Sequence, residues 1–310
     1  MILSTTKTIA QLPHLTSFLA DIPNAVAGWG RKPSGRRAVW LAKILHRPFA
    51  LLEDGFIRSV ERRASTISLL VDDLGVYYDA TRPSRMEQAI SRGVDADQAA
   101  RARRIAALWR DKRVSKYNHA PDHGDALPDR YVLVVDQTFG DLSISGGLAS
   151  ADHFSTMLSA ALAENADAMV IVKTHPDVLT KAKQGHFPPE FLERERVLLI
   201  ASDCHAPSLI ERAIAVYCVT SLMGFEAMLW GKTVRCFGMP FYAGWGLSED
   251  EARRPARRHP ATIEDMIHAA LIGIARYANP ASGDPWEVEQ AITYVAERRA
   301  SQLAQITPPA

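Results

Sequence analysis

Short apolar runs alternate with helical patterns along the second half of the chain. Several of these runs have the length and the β-branched composition of buried strands. They are residues 131–135, 168–172, 197–200, 214–219 and 233–237, with helical patterns at 151–164, 207–213 and 222–230 between them. Strands that alternate with helices predict a mostly parallel sheet.

The first half has the same alternation. Its apolar runs predict strands at 48–52, 68–71 and 76–79, and its helical patterns lie at 38–45, from Ser84 onward and at 97–113. Ser84 is followed three positions later by Glu87, which is the pattern of a capping box. Residues 262–277 and 285–304 are predicted as helices that follow the second sheet.

A turn-rich segment from Tyr117 to Pro128 separates the two halves. The chain has 310 residues, the length of two ordinary domains. We therefore predict an α/β fold with two Rossmann-type units facing a cleft, divided into 1–127, 128–261 and C-terminal helices at 262–310 that pack back on both. Many unrelated enzymes share such a fold, so the fold alone does not decide the function.

Composition indicates a globular protein, with 47% hydrophobic and 23% charged residues. No apolar run is long enough to span a bilayer, and the N-terminus lacks the apolar core of a secretory signal. Cys204, Cys218 and Cys236 form no CxxC pair, which favours reduced thiols over a disulfide or a zinc site. We therefore expect a cytoplasmic protein.

Charge is unevenly distributed between the halves. Residues 1–127 carry 20 Lys/Arg and 13 Asp/Glu, whereas residues 128–310 carry 16 and 22. The densest basic cluster consists of Arg31, Lys32, Arg36, Arg37, Lys43 and Arg47. Such a cluster suits an anionic membrane surface or an acidic glycan, and an ordinary solvated face has the same composition. No nucleic-acid motif accompanies it, so we expect no nucleic-acid partner.

The segment Lys173-Thr174-His175-Pro176-Asp177 directly follows a predicted strand. Open α/β sheets bind ligands at the carboxyl ends of their strands. Lys173 and His175 are donors that suit a leaving phosphate, and Pro176 holds His175 in an extended conformation. The pattern indicates a nucleotide-sugar phosphate site. A strand end with a solvated lysine and a capping histidine is the alternative.

Two further polar segments follow predicted strands. Residues 131–135 are followed by Asp136, Gln137, Gly140 and Asp141, and a carboxylate there is a candidate base, nucleophile or metal ligand. Alternatively, Asp136 and Asp141 cap a helix or order a loop. After residues 214–219, Thr220 and Ser221 begin a helix whose free amides suit a phosphate, or they are a simple N-cap. Glu226, one turn later, is a candidate ligand of a ribose hydroxyl. The GxGxxG and GxxxxGK[ST] motifs do not occur, which disfavours NAD and P-loop sites.

Two more candidate segments are weaker. Glu53, Asp54 and Arg58 follow a predicted strand of the first half and supply an acid/base pair beside a cation that binds carboxylates well. A surface turn has the same composition. Residues 237–247 are dense in glycine and aromatic residues, and Tyr242 and Trp245 either form one wall of a sugar site or pack in a loop between domains.

These segments, taken in order, resemble the capsule-polysaccharide β-Kdo transferases of the KpsC type over nearly the whole chain. The resemblance rests on Gly28–Ser34, Glu53–Ser59, Val71–Ala80, Ser115–Asn118, Val134–Thr138, Lys173–Val178, Thr220–Ala227 and Pro240–Leu247. Members of that family typically carry two such modules, and this chain is most similar to the N-terminal one. It departs from the family in the short, charged segment 60–65, where the family usually has a glycine-containing loop, so the resemblance implies different local acceptor contacts.

The resemblance implies a GT-B-like retaining glycosyltransferase that acts in capsule polysaccharide biosynthesis and export. It would transfer Kdo from CMP-β-Kdo to a lipid-linked Kdo acceptor, by double displacement, at the cytoplasmic side of the inner membrane. Residues 1–127 would be the acceptor-side domain and residues 128–261 the CMP-sugar-binding domain. A second Kdo-transferase module or capsule assembly proteins are the expected partners, and no cofactor is expected.

In this reading Asp141 is the nucleophile, Glu53 the acid/base, and His175 the group that stabilises the leaving phosphate together with Lys173. The remaining donor contacts are Gln137, Pro176, Thr220, Ser221 and Glu226, and the sugar or acceptor contacts are Asp54, Arg58, Tyr242 and Trp245. No metal is expected. The alternatives are a transferase that uses another nucleotide sugar, or a non-catalytic module that binds glycan or assembles a complex.

Overall fold

The computed structural model describes residues 2–58, 60, 66–174, 184–187 and 189–306, without the side chains of residues 189, 192 and 306. The chain divides into two compact units. Unit 1 comprises Met1–Tyr77, Arg82–His119 and Glu264–Ala310, and unit 2 comprises Tyr78–Thr81 and Ala120–Ile263. The main change of unit therefore follows His119, where the sequence predicts a boundary after residue 127, and the C-terminal segment belongs to unit 1.

The strands are β1 (Leu3–Ser4), β2 (Val26–Trp29), β3 (Phe49–Asp54), β4 (Ser68–Asp72), β5 (Tyr131–Val135), β6 (Met169–Lys173), β7 (Val197–Ile200), β8 (Ala215–Cys218), β9 (Thr233–Cys236), β10 (Glu249–Asp250), β11 (Ala275–Ala278) and β12 (Pro285–Trp286). The α-helices span Lys7–Ala10, Leu15–Phe18, Pro33–Leu45, Arg85–Arg92, Ala96–Asp111, Leu142–Gly146, Asp152–Glu164, Pro189–Leu192, Pro207–Ile210, Leu222–Leu229, Ile263–His268 and Val288–Ile306. A π-helical turn, Ala269–Gly273, continues the helix that ends at His268.

Unit 1 is built on a mixed sheet with the strand order β1-β2-β3-β4-β11-β12. The first three strands are parallel, whereas β4, β11 and β12 each run antiparallel to the strand before them in the sheet. The sheet of unit 1 is therefore mixed. β4 pairs antiparallel with β3, the strand that precedes it in the sequence.

The helix Pro33–Leu45 packs on one face of the unit 1 sheet through small residues. Ala38 and Ala42 are buried against Val26 of β2. A Cβ atom on Gly35 would lie 1.8 Å from the carbonyl oxygen of Gly30, so only glycine fits where the helix starts. The other face of the sheet is covered by apolar side chains of the first two helices, Lys7–Ala10 and Leu15–Phe18.

Unit 2 is built on a parallel sheet with the strand order β10-β9-β8-β5-β6-β7, as predicted. Its centre is β5, every residue of which is buried because the strand carries helices on its faces. The chain runs from β5 outward through β6 and β7, and then returns to the other side of β5 as β8. The sheet therefore reverses its order between β5 and β8, which is where doubly wound sheets bind ligands.

Several predicted elements are wrong. The backbone at residues 76–79 forms turns instead of a strand, and the apolar stretch 262–277 is a short helix, a π-helical turn and β11 instead of one helix. β11 forms because it pairs with β4, which lies far away in the sequence. β2 was not predicted, since its Gly28 interrupts the apolar run.

Candidate functional site

The carboxyl ends of β5, β6 and β8 bring polar side chains together in unit 2. Asp136 and Gln137 follow β5, Thr174 follows β6, and Thr220 comes two residues after β8. Since the three strands are parallel, these residues meet at one edge of the sheet. The sequence predicted this convergence for Gln137 and Thr220.

Gln137 connects the two strand ends at which the sheet reverses its order. Its side-chain oxygen accepts hydrogen bonds from the amide of Thr220 at 2.9 Å and from the Thr220 hydroxyl at 3.1 Å. Its side-chain nitrogen lies 3.0 Å from the Thr220 hydroxyl and 3.2 Å from the hydroxyl of Ser143. The two hydroxyls are 3.0 Å apart. Gln137 is thus fully used in holding the edge, and its predicted contact with the donor is untested.

Asp136 makes the corresponding connection between β5 and β6. Its Oδ2 accepts from the Thr174 hydroxyl at 2.8 Å, and its Oδ1 accepts from the amides of Gln137 at 2.8 Å and His186 at 3.1 Å. Burial raises the pKa of Asp136, and these three hydrogen bonds oppose the rise because they stabilise the carboxylate. Asp136 therefore organises the loop around the edge.

Asp141 is exposed at the start of the helix Leu142–Gly146. Its Oδ1 accepts from the amide of Ser143 at 2.9 Å, so the residue is an N-cap. Among the described residues Oδ2 has no hydrogen-bond donor, which leaves this oxygen available to a ligand. Gly140, just before it, has φ +83°, a left-handed conformation that glycine adopts without strain.

Residues 78–81 hold the helix that carries Asp141, although they come from the first half of the sequence. The amide of Ala80 donates to the carbonyl of Gly146 at 2.8 Å. A Cβ atom on Gly146 would lie 2.8 Å from the carbonyl oxygen of Tyr78, so the approach requires glycine. The sequence predicted a strand at 76–79 and therefore did not predict that residues 78–81 contact this helix.

His186 is a second feature of the site that sequence reasoning missed. Its ring stacks on Phe154 at a centroid distance of 3.9 Å and lies 5.4 Å from the ring of Phe139. Both ring nitrogens are buried. Burial lowers the pKa of His186, and the negative charges of Asp136 and Asp141 oppose that change. No sequence motif at this position pointed to it.

Lys173 lies at the predicted edge, at the end of β6. Its ammonium group donates to the carbonyl oxygens of Thr174 at 2.6 Å and Ser202 at 3.1 Å. Burial lowers its pKa. In this conformation the group stabilises the backbone at the strand end, and its predicted contact with a phosphate is untested. His175 and Pro176, predicted beside it, lie outside the described residues.

The helix Leu222–Leu229 begins as predicted. Ser221 is its N-cap, and the Ser221 hydroxyl accepts from the amide of Met223 at 3.3 Å. Glu226 is only 3% exposed, so most of its surface is covered by protein. The predictions that Ser221 holds a phosphate and Glu226 a ribose hydroxyl are not tested by these contacts.

Tyr242 and Trp245 are interior residues, which corrects their predicted contact with sugar or acceptor. They are 0% and 1% exposed. The hydroxyl of Tyr242 donates to the carbonyl of Ser221 and lies 3.2 Å from Cys218 Sγ, and the indole of Trp245 donates to the carbonyl of Phe241 at 2.8 Å. Both side chains therefore support the loop and the start of the neighbouring helix from behind.

In unit 1 the structure joins two of the segments on which the resemblance rests. The amide of Arg58 donates to the carbonyl of Lys116 at 3.1 Å, and the buried Asn118 donates to the carbonyl of Arg58 at 3.2 Å. The guanidinium of Arg58 lies 3.4 Å from Asp54, and each side chain is 40% exposed. Glu53, at the end of β3, borders a small pocket with Asp72.

The described residues were predicted to bind no metal, and the apolar runs to be too short for a membrane span. No group of three or more His, Cys, Asp or Glu side chains there has the arrangement of a metal site. No described helix combines the length and apolar character required to cross a bilayer. The prediction of a metal-independent reaction remains a prediction.

Comparisons with known proteins agree on one family. The sequence profile of the capsule polysaccharide biosynthesis proteins matches residues 24–127 and 95–278. The capsule polysaccharide modification protein LipA of Neisseria meningitidis serogroup A is 40% identical over 93% of this chain, which spans 44% of the LipA length. The lipopolysaccharide-processing protein LpsZ of Rhizobium meliloti is 36% identical over 91% of this chain and 66% of LpsZ.

Two solved structures are similar over nearly their whole length. One is Thermosulfurimonas dismutans KpsC, β-Kdo 2,4 transferase, with 37% identity, a TM-score of 0.85 and coverage of 95% of this chain and 97% of that one. The other is Thermosulfurimonas dismutans KpsC, β-Kdo 2,7 transferase, with 25% identity, a TM-score of 0.70 and coverage of 96% and 98%. By sequence profile and by relatives, the chain belongs to the family of capsule polysaccharide biosynthesis proteins.

Proposed function

We propose that this chain is a retaining glycosyltransferase module that transfers Kdo from CMP-β-Kdo to a lipid-linked Kdo acceptor during capsule polysaccharide synthesis. The observation that carries the proposal is the similarity to the β-Kdo 2,4 transferase over 95% of this chain, at a TM-score of 0.85. The similarity to the 2,7 transferase is weaker, with a TM-score of 0.70. We therefore propose a β-2,4 linkage for the product.

In the first step of the proposed reaction, Asp141 attacks the anomeric carbon of the Kdo group. A bond forms between a carboxylate oxygen and that carbon, and the bond to the CMP phosphate oxygen breaks, so CMP leaves with the electron pair. The support is local: Asp141 is exposed, its Oδ1 is fixed by the amide of Ser143 at 2.9 Å, and its Oδ2 faces no described donor. One oxygen thus orients the group while the other reacts.

In the second step the acceptor hydroxyl attacks the same carbon and releases Asp141. Each displacement inverts the anomeric configuration, so the product retains the β configuration of the donor. The acceptor hydroxyl must lose a proton, and Glu53 is the proposed base. Its support is its position at the end of β3, beside a pocket of unit 1.

The departing CMP is proposed to lie at the edge where the strand order of unit 2 reverses. The helix Leu222–Leu229 starts there with Ser221, and its first amides suit a phosphate. Gln137 and Thr220 hold the two strand ends in place through their mutual hydrogen bonds. Lys173 and His175 are the proposed stabilisers of the phosphate charge, Pro176 positions His175, and Glu226 is the proposed ribose contact.

Arg58 is the proposed contact for a carboxylate of Kdo, on the donor or on the acceptor. A guanidinium binds a carboxylate through two parallel hydrogen bonds. The support is that Arg58 is 40% exposed and that its backbone is fixed by Lys116 and Asn118. Asp54, its ion-pair partner at 3.4 Å, is a second proposed contact of the sugar or acceptor.

The test is a transfer reaction with freshly generated CMP-Kdo and an acceptor that ends in Kdo. We expect CMP release and an acceptor extended by Kdo, with a β-2,4 linkage in the NMR spectrum of the product. A product linked at O7 would support the proposed transferase activity and overturn the proposed β-2,4 linkage. If a folded protein gives no CMP release and no product, the transferase proposal is overturned. That result would favour a module that only binds glycan, or a different donor.

A further inference from the structure

The helix Pro33–Leu45 has an outer face that combines apolar and cationic side chains. Its inner positions Gly35, Ala38 and Ala42 are buried against unit 1. On the opposite side Trp40 is 61% exposed and Ile44 is 52% exposed. These are the largest exposed fractions of any aromatic and any aliphatic side chain among the exposed large hydrophobic residues of the described chain.

Helical spacing sets Trp40 at the centre of this face. Arg36 and Ile44 lie four positions before and after it, and Arg37 and Lys43 lie three positions before and after it. Residues three and four apart are neighbours on a helix surface. The indole is therefore surrounded by three cations and one aliphatic side chain, all of them exposed. We name these five residues the Trp40 face.

The Trp40 face lies in a stretch of uniform charge. From residue 22 to residue 52 the chain has six Lys/Arg and no Asp/Glu. In the described part of the chain, none of the ion pairs involves Arg36, Arg37 or Lys43. Their charges are thus available to an external anion. A solvated face that served only solubility would not need an exposed indole at its centre.

We propose that the Trp40 face docks on the surface of an anionic phospholipid bilayer. Tryptophan partitions into the region between lipid headgroups and acyl chains, and lysine and arginine next to it bind the anionic headgroups. The charge complementarity of the face selects this occupant over a protein partner, because a protein interface core is depleted of charge whereas here cations surround the indole. Three residues of the basic cluster predicted from the sequence, Arg36, Arg37 and Lys43, belong to this face.

Vesicle sedimentation tests the proposal without donor or acceptor, so its outcome is independent of the proposed transferase activity. The probes are vesicles of phosphatidylcholine alone and vesicles that contain phosphatidylglycerol. We expect binding to the anionic vesicles only, and weaker binding at high salt, because salt screens the headgroup charge. Vesicles that carry brominated phosphatidylglycerol should quench tryptophan fluorescence in the wild type and not in Trp40→Phe.

Variants locate the binding surface. Arg36→Glu/Lys43→Glu should weaken binding at least about tenfold, because each basic residue near an anionic surface contributes to the affinity. Trp40→Ala should weaken it at least about fivefold, because the anchoring side chain is gone. The matched control, Arg92→Glu/Arg104→Glu, makes the same change in net charge on two other helices of unit 1 and should bind within about twofold of the wild type.

Three results would overturn the proposal. One is equal binding to neutral and anionic vesicles, and another is binding that the Arg36→Glu/Lys43→Glu and control variants reduce equally. The third is a concentration-dependent dimer, seen by light scattering, that Trp40→Ala abolishes while vesicle binding is absent. That result would assign the face to a second copy of the chain. All variants change exposed side chains, and their circular dichroism and thermal unfolding should match the wild type.

Discussion

The side chain of Gln137 and the backbone amide of Thr220 are joined by a hydrogen bond of 2.9 Å, although 83 positions separate the two residues in the sequence. This bond ties the end of β5 to the segment after β8, where the parallel sheet of unit 2 reverses its strand order. Ser143, in the helix that Asp141 caps, joins the same network at 3.2 Å from the Gln137 side chain. The candidate nucleophile thus sits on a helix that is fastened to the strand edge.

Removing the side chain of Gln137 should destabilise unit 2. Gln137→Ala leaves the buried amide of Thr220 without an acceptor, and such a loss costs about 1–3 kcal/mol. We expect the loss in urea unfolding, together with reduced transfer, because the strand edge loosens. Gln11→Ala, at an exposed position of unit 1, is the control and should unfold within about 0.5 kcal/mol of the wild type. Unchanged unfolding of Gln137→Ala would contradict the assigned function of this side chain.

Tyr242→Phe separates a supporting role from a contact with sugar. The substitution removes the hydrogen bond to the Ser221 carbonyl while the ring still packs, which should cost about 1–2 kcal/mol of stability. Because Tyr242 is 0% exposed, we expect the KM for the acceptor to stay within about twofold of the wild type. A raised acceptor KM with unchanged thermal unfolding would restore the sugar contact that the sequence suggested.

The lowered pKa of His186 predicts a loss of stability in acid. The ordinary pKa of the residue is 6.5, and its folded value is lower because the ring is buried. As pH falls from 6.5 toward the folded pKa, the unfolded chain binds the proton first, so the free energy of unfolding decreases. The negative charge of Asp136, a backbone hydrogen bond with Thr138 and the negative charge of Asp141 reduce the effect because they favour the protonated form.

His186→Phe keeps a ring that can stack on Phe154 and removes the titration. We expect its free energy of unfolding to fall less than that of the wild type between pH 7.5 and pH 5.5, as measured by urea unfolding. His259→Phe, at an exposed position, is the control and should follow the wild type. Identical pH profiles for wild type and His186→Phe would refute the assignment of this acid sensitivity to His186.

Arg58 is expected to matter for binding and not for folding. Its ion pair with Asp54 has both partners 40% exposed, and pairs of this kind contribute about 0–1 kcal/mol. Arg58→Ala should therefore unfold like the wild type and raise the KM for donor or acceptor. Arg58→Lys should restore little of the binding, since an ammonium cannot form the paired hydrogen bonds of a guanidinium. Full recovery in the lysine variant would argue against a carboxylate contact.

The parallel sheet of unit 2 was largely predictable from the sequence, and physical reasons explain why. Tyr131–Val135 and Val197–Ile200 are strands with the predicted bounds, because short apolar runs flanked by polar turns have few other ways to be buried. The same logic located the polar residues at the strand ends, since parallel strands bring their carboxyl ends to one edge. Gln137 and Thr220 meet at this edge, while the contacts of Gln137, Asp141 and Thr220 with a donor remain predictions.

The parts that depend on distant partners were not predictable. Ala275–Ala278 forms a strand because it pairs with β4, and nothing in its own apolar pattern separates it from the helix before it. Residues 78–81 belong to unit 2, where Ala80 donates to the carbonyl of Gly146 and accepts from the guanidinium of Arg257, both far away in the sequence. The aromatic character of Tyr242 and Trp245 suggested contact with a ligand, but both side chains are buried in the structure. The pattern of a single sequence did not distinguish a buried aromatic residue from one that lines a site.

The central claim is that Asp141 forms a covalent adduct with Kdo, and intact mass tests it most directly. Wild type incubated with CMP-Kdo in the absence of acceptor should gain the mass of one Kdo residue, and the added mass should map to the peptide that contains Asp141.

Asp141→Asn keeps an oxygen that accepts from the Ser143 amide, so it should fold normally, form no adduct and lose at least about 10³-fold in transfer rate. Asp152→Asn, at an exposed position in the first turn of the following helix, is the matched control and should behave like the wild type. An Asp141→Asn variant that transfers Kdo at the wild-type rate, or an adduct that maps to another residue, would contradict the account.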